Sequence, residues 1–175
     1  MNDTTHNAPR LDIRLLAASD IPAIAAAFAS LGWDKPASQY EGYLEEQQRG
    51  ERVALVAWHE DQFVGYVTIV WVAGYAPFRN AGIPEIADFN VLPDVRRQGI
   101  GSRLMDEAER RIKERSQVAG ISVGLFADYG AAQRVYVKRG YIPDGRGIVA
   151  HERRVTWGDT VIVDDDLVLY LTKAL

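Results

Sequence analysis

Cysteine is absent from the 175-residue sequence, and histidine is rare. The absence of cysteine excludes disulfides, thiolate metal sites and any reaction through a cysteine acyl-enzyme. The three histidines, His6, His59 and His151, fall in an N-terminal tail, a hairpin turn and a late loop. The sequence therefore gives no sign of a metal-ligand cluster or a Ser-His-Asp triad, and we expect a reaction that needs no metal.

Long apolar runs and an excess of positive charge are lacking as well. No stretch approaches the ~20 apolar residues of a membrane span. The first ten residues, MNDTTHNAPR, are polar and lack the apolar segment of a secretion signal. A formal net charge of −4 gives no general attraction to nucleic acid or to an anionic membrane. We therefore expect a cytoplasmic protein with no nucleic-acid or membrane partner.

The remaining composition, 47% hydrophobic and 25% charged, is that of an ordinary globular protein. We expect residues 1–10 to form a flexible tail and residues 11–175 to form a single domain. Apolar alternation predicts strands at Leu11–Leu15, Arg52–Trp58, Gln62–Val72, Glu85–Leu92, Gly120–Phe126, Ile148–Val155 and Leu167–Thr172. Helical spacing and capping residues predict helices that begin near Asp20, Pro36, Ile100 and Gly130, with a loop at Gly74–Pro84. This order predicts an α/β (α+β) fold with a mixed, mostly antiparallel central sheet flanked by helices.

Residues 85–111 carry the strongest local signal. A strand ends at Pro93, and the loop RRQGIGS at 96–102 then opens a helix. The N–H groups in the first turn of a helix lack intrahelical partners and attract phosphate. Gly99 and Gly101 permit unusual dihedrals and the close approach of a ligand. Taken alone, the pattern fits a tight turn with solvated arginines equally well, and it matches neither G-x-x-x-x-G-K-S/T nor G-x-G-x-x-G.

The same stretch resembles the acetyl-CoA site of the GNAT family of N-acetyltransferases. The family pattern is a strand x-φ-x-V-x-P, then R/Q-x-x-G-x-G/A, then a helix; the matching residues are Val91, Pro93, Arg96, Gly99 and Gly101. The resemblance implies that loop amides hold the pyrophosphate of CoA, while the end of the strand pairs with the pantetheine arm. The implied cofactor-binding residues are Phe89, Asn90, Val91, Arg96, Arg97, Gln98, Gly99, Ile100, Gly101 and Ser102. It also implies that strands 85–92 and 120–126 splay apart.

A second stretch, DYGAAQRVYVKRGY at 128–141, is similar to the GNAT segment N-x-x-A-x-x-x-Y-x-x-x-G-F/Y. Ala132, Tyr136, Gly140 and Tyr141 match, whereas Tyr129 stands where asparagine is usual. In that family the helical tyrosine lies near the thioester sulfur, and a phenol can give a proton to the departing thiolate. Tyr136 is therefore the candidate general acid, with a packing role as the alternative. Tyr129 is assigned to the cofactor site by position only.

The acceptor amine must lose a proton, and a carboxylate or a water held by one could take it. Glu85, Asp88 and Asp128 are the candidates. Glu85 and Asp88 face opposite sides of a regular strand, so only one should face the acceptor unless a bulge intervenes. Glu85 is preferred because the GNAT family often draws its base from this strand. A backbone N–H near Asn90 or Val91 would stabilise the thioester oxygen.

The acceptor pocket is less clearly indicated. Aromatic residues that could line it, although each also suits core packing, are Trp33, Tyr40, Trp71, Tyr75, Phe78 and Trp157. Asp164-Asp165-Asp166 could attract a cation, but a solvated turn explains this run more simply. The segment Ile142–Val163 exceeds what closure of the sheet requires, so we expect a substrate or dimer element there, and a homodimer is one option.

The resemblance implies an N-acetyltransferase that moves acetyl from acetyl-CoA to the primary amine of a small molecule, by direct transfer in a ternary complex. A protein or peptide amine is an alternative acceptor. A non-catalytic sensor module that binds acyl-CoA is the alternative from another class. Turnover separates these hypotheses, since only an enzyme releases free thiol.

Overall fold

The structure of the protein is a computed structural model that describes residues 11–175. The predicted tail, 1–10, and His6 within it lie outside the described residues. The helices are α1 Ile21–Ser30, α2 Ala37–Gln48, α3 Ala76–Ala81, α4 Ile100–Lys113 and α5 Gly130–Lys138. The strands are β1 Leu11–Leu15, β2 Arg52–His59, β3 Gln62–Val70, β4 Glu85–Val91, β5 Val118–Gly124, β6 Ile142–Ala150, β7 Arg153–Arg154 and β8 Leu167–Ala174.

The strands form an eight-stranded sheet in the order β1-β2-β3-β4-β5-β8-β6-β7. β1 pairs with β2, and β8 pairs with β5 and β6, in antiparallel fashion, whereas β4 and β5 are parallel. The parallel ladder pairs Glu85 with Gly120 and Ile86 with Ile121. The predicted mixed, mostly antiparallel sheet flanked by helices is confirmed. Among the described residues, no helix is long and apolar enough to cross a membrane.

The chain divides into two compact units, and β4 and α4 each contribute to both. The first unit comprises residues 11–68 and 88–108, and the second comprises 69–87 and 109–175. The core of the first unit lies around Phe28, which is fully buried. Its ring stacks on Trp33 with centroids 5.6 Å apart and meets Tyr66 edge to face at 5.8 Å. These contacts join α1 to β3 through large aromatic surfaces.

In the second unit, α3 packs through Phe78, whose ring lies directly over Gly120 of β5. A Cβ at Gly120 would lie 2.3 Å from Phe78 Cε2, so only glycine leaves room for the ring. Glu109 on α4 forms an ion-pair cluster with Arg139 at 2.9 Å and Lys173 at 2.6 Å. This cluster ties α4 to the end of α5 and to β8.

Two predicted elements differ from the structure. The predicted loop at 74–84 contains α3, a six-residue helix with Pro77 in its first turn and a left-handed Gly82 at its end. A helix this short has a weak sequence signal, because burial of Phe78 rather than propensity stabilises it.

The single predicted strand at Ile148–Val155 is also wrong. β6 already begins at Ile142, and a turn through His151 and Glu152, with φ of 48° and 62°, separates it from β7. Pro143 and two glycines disfavour a strand by propensity, but pairing with β8 overrides that preference, with a register irregularity between Pro143 and Ile148.

Candidate functional site

The loop between β4 and α4 contains two residues in left-handed conformations, which turn the chain from the strand into the helix. A short 3-10 turn, Pro93–Val95, follows the strand. Arg97 has φ of 63° and Gly99 has φ of 83°. Arg96 Nε donates a hydrogen bond to the Val91 carbonyl at 3.0 Å, so this side chain braces the start of the loop. The positive φ at Gly99 explains why glycine suits that position.

The loop that leads into the amino end of α4 is exposed to solvent. Residues 96–99 are exposed, and the N–H of Arg103 bonds the Gly99 carbonyl at 3.1 Å, at the start of the helical pattern. The amides of Ile100 and Gly101 precede that bond and have no acceptor within the helix by geometry. Such an end carries partial positive charge and binds phosphate groups. The predicted pyrophosphate loop therefore has an accessible helix tip at its centre.

Gly101 serves a different purpose from Gly99, because it allows α4 to pack closely on β4. A Cβ at Gly101 would lie 3.1 Å from Phe89 Cζ and 3.5 Å from Val91 Cγ2. Gly65 of β3 also allows close packing against this strand, since a Cβ there would lie 2.6 Å from the Asn90 carbonyl oxygen. The half-buried segment 89–91 is thus packed closely against both α4 and β3.

Asp88 interrupts the regular strand with φ of 46°. Its Oδ1 accepts hydrogen bonds from Lys35 Nζ at 2.7 Å and Asn90 Nδ2 at 2.8 Å. Its Oδ2 accepts from Gln39 Nε2 at 2.7 Å, from Tyr43 at 2.8 Å and from the Tyr66 hydroxyl. Because a carboxylate offers about four lone-pair sites, these donors occupy all of them and leave none to accept a proton from a substrate.

The other two candidate bases lie in the second unit and differ in exposure. Glu85 is 9% exposed at the first position of β4, whereas Asp128 is exposed in a 3-10 turn. Burial raises the pKa of the Tyr170 phenol, and the negative charge of the nearby Glu85 carboxylate is the second cause of that shift. Glu85 is therefore the candidate whose charge acts within a low-dielectric environment.

Tyr136 lies on α5 and is 6% exposed. Burial, followed by the influence of Tyr129, raises the pKa of the Tyr136 phenol above its ordinary value. The phenol therefore remains protonated across the physiological pH range, as a proton donor requires. The ring of Tyr141 lies 6.2 Å away and bonds Glu109 through its hydroxyl.

Tyr129 is engaged by protein groups at the start of α5. Its ring covers Gly124, where a Cβ would lie 2.4 Å from Tyr129 Cδ2. Its hydroxyl donates to Asp165 at 3.0 Å. Gln133 Nε2 also bonds the Gly124 carbonyl, at 2.7 Å. Tyr129 thereby connects the acidic turn, Asp164-Asp165-Asp166, to the end of β5.

The aromatic residues predicted to line an acceptor pocket are divided between the two units. Tyr40 belongs to the core of the first unit, together with Trp33. In the second unit, Tyr75 stacks on Tyr170 with centroids 3.6 Å apart, and Trp71 lies beneath the Arg115 guanidinium at 4.2 Å. Trp157 is fully exposed to solvent. Most of these rings have packing partners of their own.

The acidic turn meets a histidine that the sequence did not connect with it. His151 Nε2 lies 3.3 Å from Asp164, and its Nδ1 lies 3.1 Å from Asp166. The three side chains have ligand atoms within 4.8 Å of one another, the spacing of a cation site. The turn is therefore a paired cluster rather than a purely solvated one.

Sequence reasoning missed the four distant donors to Asp88. Lys35, Gln39, Tyr43 and Tyr66 lie 53, 49, 45 and 22 positions from it. No local motif connects residues so far apart. The one available signal was the clustering of Gln39 and Tyr43 one helical turn apart, which places them on one face of α2.

Comparison with known proteins adds a family and a fold. The profile of the "Acetyltransferase (GNAT) family" matches residues 21–141. No curated protein sequence matches the chain closely enough to count as a relative.

Solved structures similar to this chain include a ribosomal-protein-alanine N-acetyltransferase from Brucella melitensis, with a TM-score of 0.68 and 21% identity over 94% of this chain and 99% of that one. Another is the PaiA N-acetyltransferase from Thermoplasma acidophilum in complex with coenzyme A, with a TM-score of 0.64 and 14% identity over 95% and 99%. A third, from Salmonella typhimurium, is described as modifying the N-terminal serine of ribosomal protein L7/L12, with a TM-score of 0.69 and 13% identity over 94% and 95%. At these identities the similarity concerns the fold.

Proposed function

Because the chain belongs to the acetyltransferase (GNAT) family, we propose that it is an N-acetyltransferase that moves acetyl from acetyl-CoA to the primary amine of a small molecule. Enzymes of this family use acetyl-CoA, and a structural neighbour is in complex with coenzyme A. The observation that carries the proposal is the exposed loop 96–99 at the amino end of α4, in which Arg97 and Gly99 have left-handed conformations. It offers backbone amides to a pyrophosphate without requiring a metal ligand from the chain.

Cofactor binding is assigned to the loop 96–102 and the strand segment 89–91. Loop amides hold the pyrophosphate, and Arg96 and Arg97 supply positive charge beside it. The main chain of Phe89, Asn90 and Val91 pairs with the pantetheine arm. Tyr129 stays a candidate by position, although its hydroxyl is bonded to Asp165.

We assign direct transfer in a ternary complex, which agrees with the absence of any cysteine that could form an acyl-enzyme. The amine nitrogen attacks the thioester carbonyl carbon, forming the C–N bond as the C–S bond breaks. Tyr136 gives its phenolic proton to the departing sulfur; burial raises the pKa of this phenol, which keeps it protonated until the transfer. Glu85, or a water that it holds, takes the proton that the amine loses. Of the three candidate bases, Glu85 is preferred because Asp88 is saturated by donors and Asp128 is exposed.

A protein or peptide amine is the second candidate acceptor. It is favoured by three structural neighbours that are described as acting on ribosomal proteins. The net charge of −4 argues in the other direction, because it gives the chain no general attraction to the ribosome's nucleic acid.

The test is release of free thiol from acetyl-CoA in the presence of two panels, one of small primary amines and one of peptides with free N-termini. We expect turnover with a member of the small-amine panel. Turnover with peptides only would contradict a small-molecule acceptor and support a protein or peptide amine instead. Binding of acetyl-CoA without thiol release on either panel would indicate a sensor and contradict the enzymatic proposal.

The role of Tyr136 is tested with Tyr136→Phe, for which Tyr141→Phe is a matched control on a buried tyrosine of the same unit. Loss of a general acid lowers kcat by roughly 10²–10⁴-fold, so Tyr136→Phe should lose that much while keeping its affinity for acetyl-CoA. Tyr141→Phe should keep kcat and lose only thermal stability. Equal kcat values in the two variants would refute the assignment of Tyr136.

A further inference from the structure

Asp88 is held in a backbone conformation that an aspartate rarely adopts. Its φ of 46° lies in the left-handed region, which disfavours residues with a Cβ, although aspartate tolerates it better than most. It lies two positions after Ile86, the last residue of the two-pair ladder of β4 with β5, and directly precedes segment 89–91. The kink therefore decides which way the main chain of that segment faces.

The carboxylate of Asp88 gathers donors from three places in the first unit. Lys35 comes from the connection between α1 and α2, Gln39 and Tyr43 come from α2, and Tyr66 comes from β3. The Lys35–Asp88 ion pair is largely shielded, with side chains 18% and 21% exposed. Shielded charges held by several hydrogen bonds resist displacement, because breaking one partner leaves the other desolvated and unpaired.

Asn90 carries the same restraint into segment 89–91. Its side-chain amide donates to Asp88 Oδ1 at 2.8 Å and to the Tyr66 hydroxyl at 3.3 Å. Asp88, which precedes the segment, and Asn90, at its centre, are thus both fixed through their side chains, with Phe89 between them. In a strand that relaxed to regular geometry, successive residues would alternate faces and the direction of the segment's amides would change.

We propose that Asp88 is a positioning residue for acetyl-CoA: its saturated carboxylate holds the kink of β4 and thereby aims the main-chain groups of 89–91 at the pantetheine arm. This inference rests on the proposed function, in which that segment pairs with pantetheine. Asp88 transfers no proton, and its contribution is to the orientation of its neighbours. The network should therefore affect the pantetheine end of the cofactor and leave the phosphate end unaffected.

The experiment compares two ligands by calorimetry at fixed salt: acetyl-CoA, and adenosine 3′,5′-bisphosphate, which carries nucleotide phosphates without pantetheine. The main variant is Asp88→Gly, because glycine keeps access to the left-handed conformation while removing the network. We expect the Kd for acetyl-CoA to rise by about tenfold, the loss of one well-aimed hydrogen bond, with the Kd for the bisphosphate unchanged. In turnover, KM for acetyl-CoA should rise more than kcat falls.

Asp20→Asn is the matched control. Asp20 is a buried aspartate of the same unit, bonded by Arg14 at 2.7 Å and by the Ala17 amide at 2.8 Å. Its substitution should lower thermal stability without changing the ratio of the two dissociation constants. If Asp88→Gly does not unfold cooperatively, Tyr43→Phe and Lys35→Met remove one donor each and should show the same selective change at smaller size.

The proposal is overturned if the Asp88 and donor variants weaken both ligands equally, or leave both unchanged, since either result describes a purely structural network. A wild-type protein that binds neither ligand would instead refute the proposed function, and this inference with it. A wild type that binds both ligands, with variants that lose only acetyl-CoA affinity, supports the inference independently of which amine is acetylated.

Discussion

Gly99→Ala perturbs the candidate pyrophosphate loop at a single backbone dihedral. Gly99 has φ of 83°, and a Cβ there would meet no atom within 4 Å, so the methyl group itself creates no clash. The cost is conformational: an L-residue with a Cβ in the left-handed region loses roughly 1–2 kcal/mol. If the loop keeps its shape without ligand, this cost lowers the free energy of unfolding. If the loop relaxes, binding must restore the shape and the Kd for CoA rises, by about tenfold for 1.4 kcal/mol.

Calorimetric titration with CoA and urea denaturation of the same samples measure both parts. We expect the two losses to sum to roughly 1–2 kcal/mol. Gly99→Asn is the control, because asparagine adds a larger side chain into the same open space yet tolerates the left-handed region. It should recover most of the loss. An alanine variant equal to wild type in both measurements, or an asparagine variant worse than alanine, would refute the conformational explanation.

Two further predictions concern the second unit. Gly120→Ala should lose about 1–3 kcal/mol of unfolding free energy in urea, because its Cβ would overlap the buried Phe78 ring; Phe78→Leu combined with it should cost less than the sum of the two single changes. Burial of Glu109 opposes ionisation, but hydrogen bonds from Arg139 and Lys173 outweigh it and hold the pKa of the carboxyl below its ordinary value. This stabilisation is present above the unfolded pKa of about 4.3 and is lost as pH falls through the lower folded value. Glu109→Gln should therefore destabilise strongly at pH 7 and much less at pH 2, and equal losses would contradict the account.

Local chemistry explains how much of the site could be read from the sequence. The loop 96–102 was predictable because a strand stop, two glycines and a helical repeat lie within a few positions of one another. The helix of Tyr136 was predictable for the same reason, with Gly140 as its stop. Those signals concern neighbours along the chain, where steric and hydrogen-bonding preferences act directly.

Long-range contacts account for what the sequence could not predict. Regular strand alternation predicts that Glu85 and Asp88 face opposite sides of β4, whereas the positive φ of Asp88 breaks that alternation. The kink depends on donors more than 20 positions away, such as Tyr66 and Lys35. The pairing of His151 with Asp164 and Asp166 likewise depends on the turn between β6 and β7.

The many-donor arrangement at Asp88 implies an unequal tolerance to sequence change. Each donor is one of several, so a substitution at Gln39 or Tyr43 leaves the Asp88 carboxylate with most of its hydrogen bonds. No other residue can replace Asp88, because its loss leaves the Lys35 ammonium and four neutral donors without their shared acceptor. In saturation mutagenesis of this unit, most substitutions at the donor positions should therefore be tolerated, whereas almost none should be tolerated at Asp88.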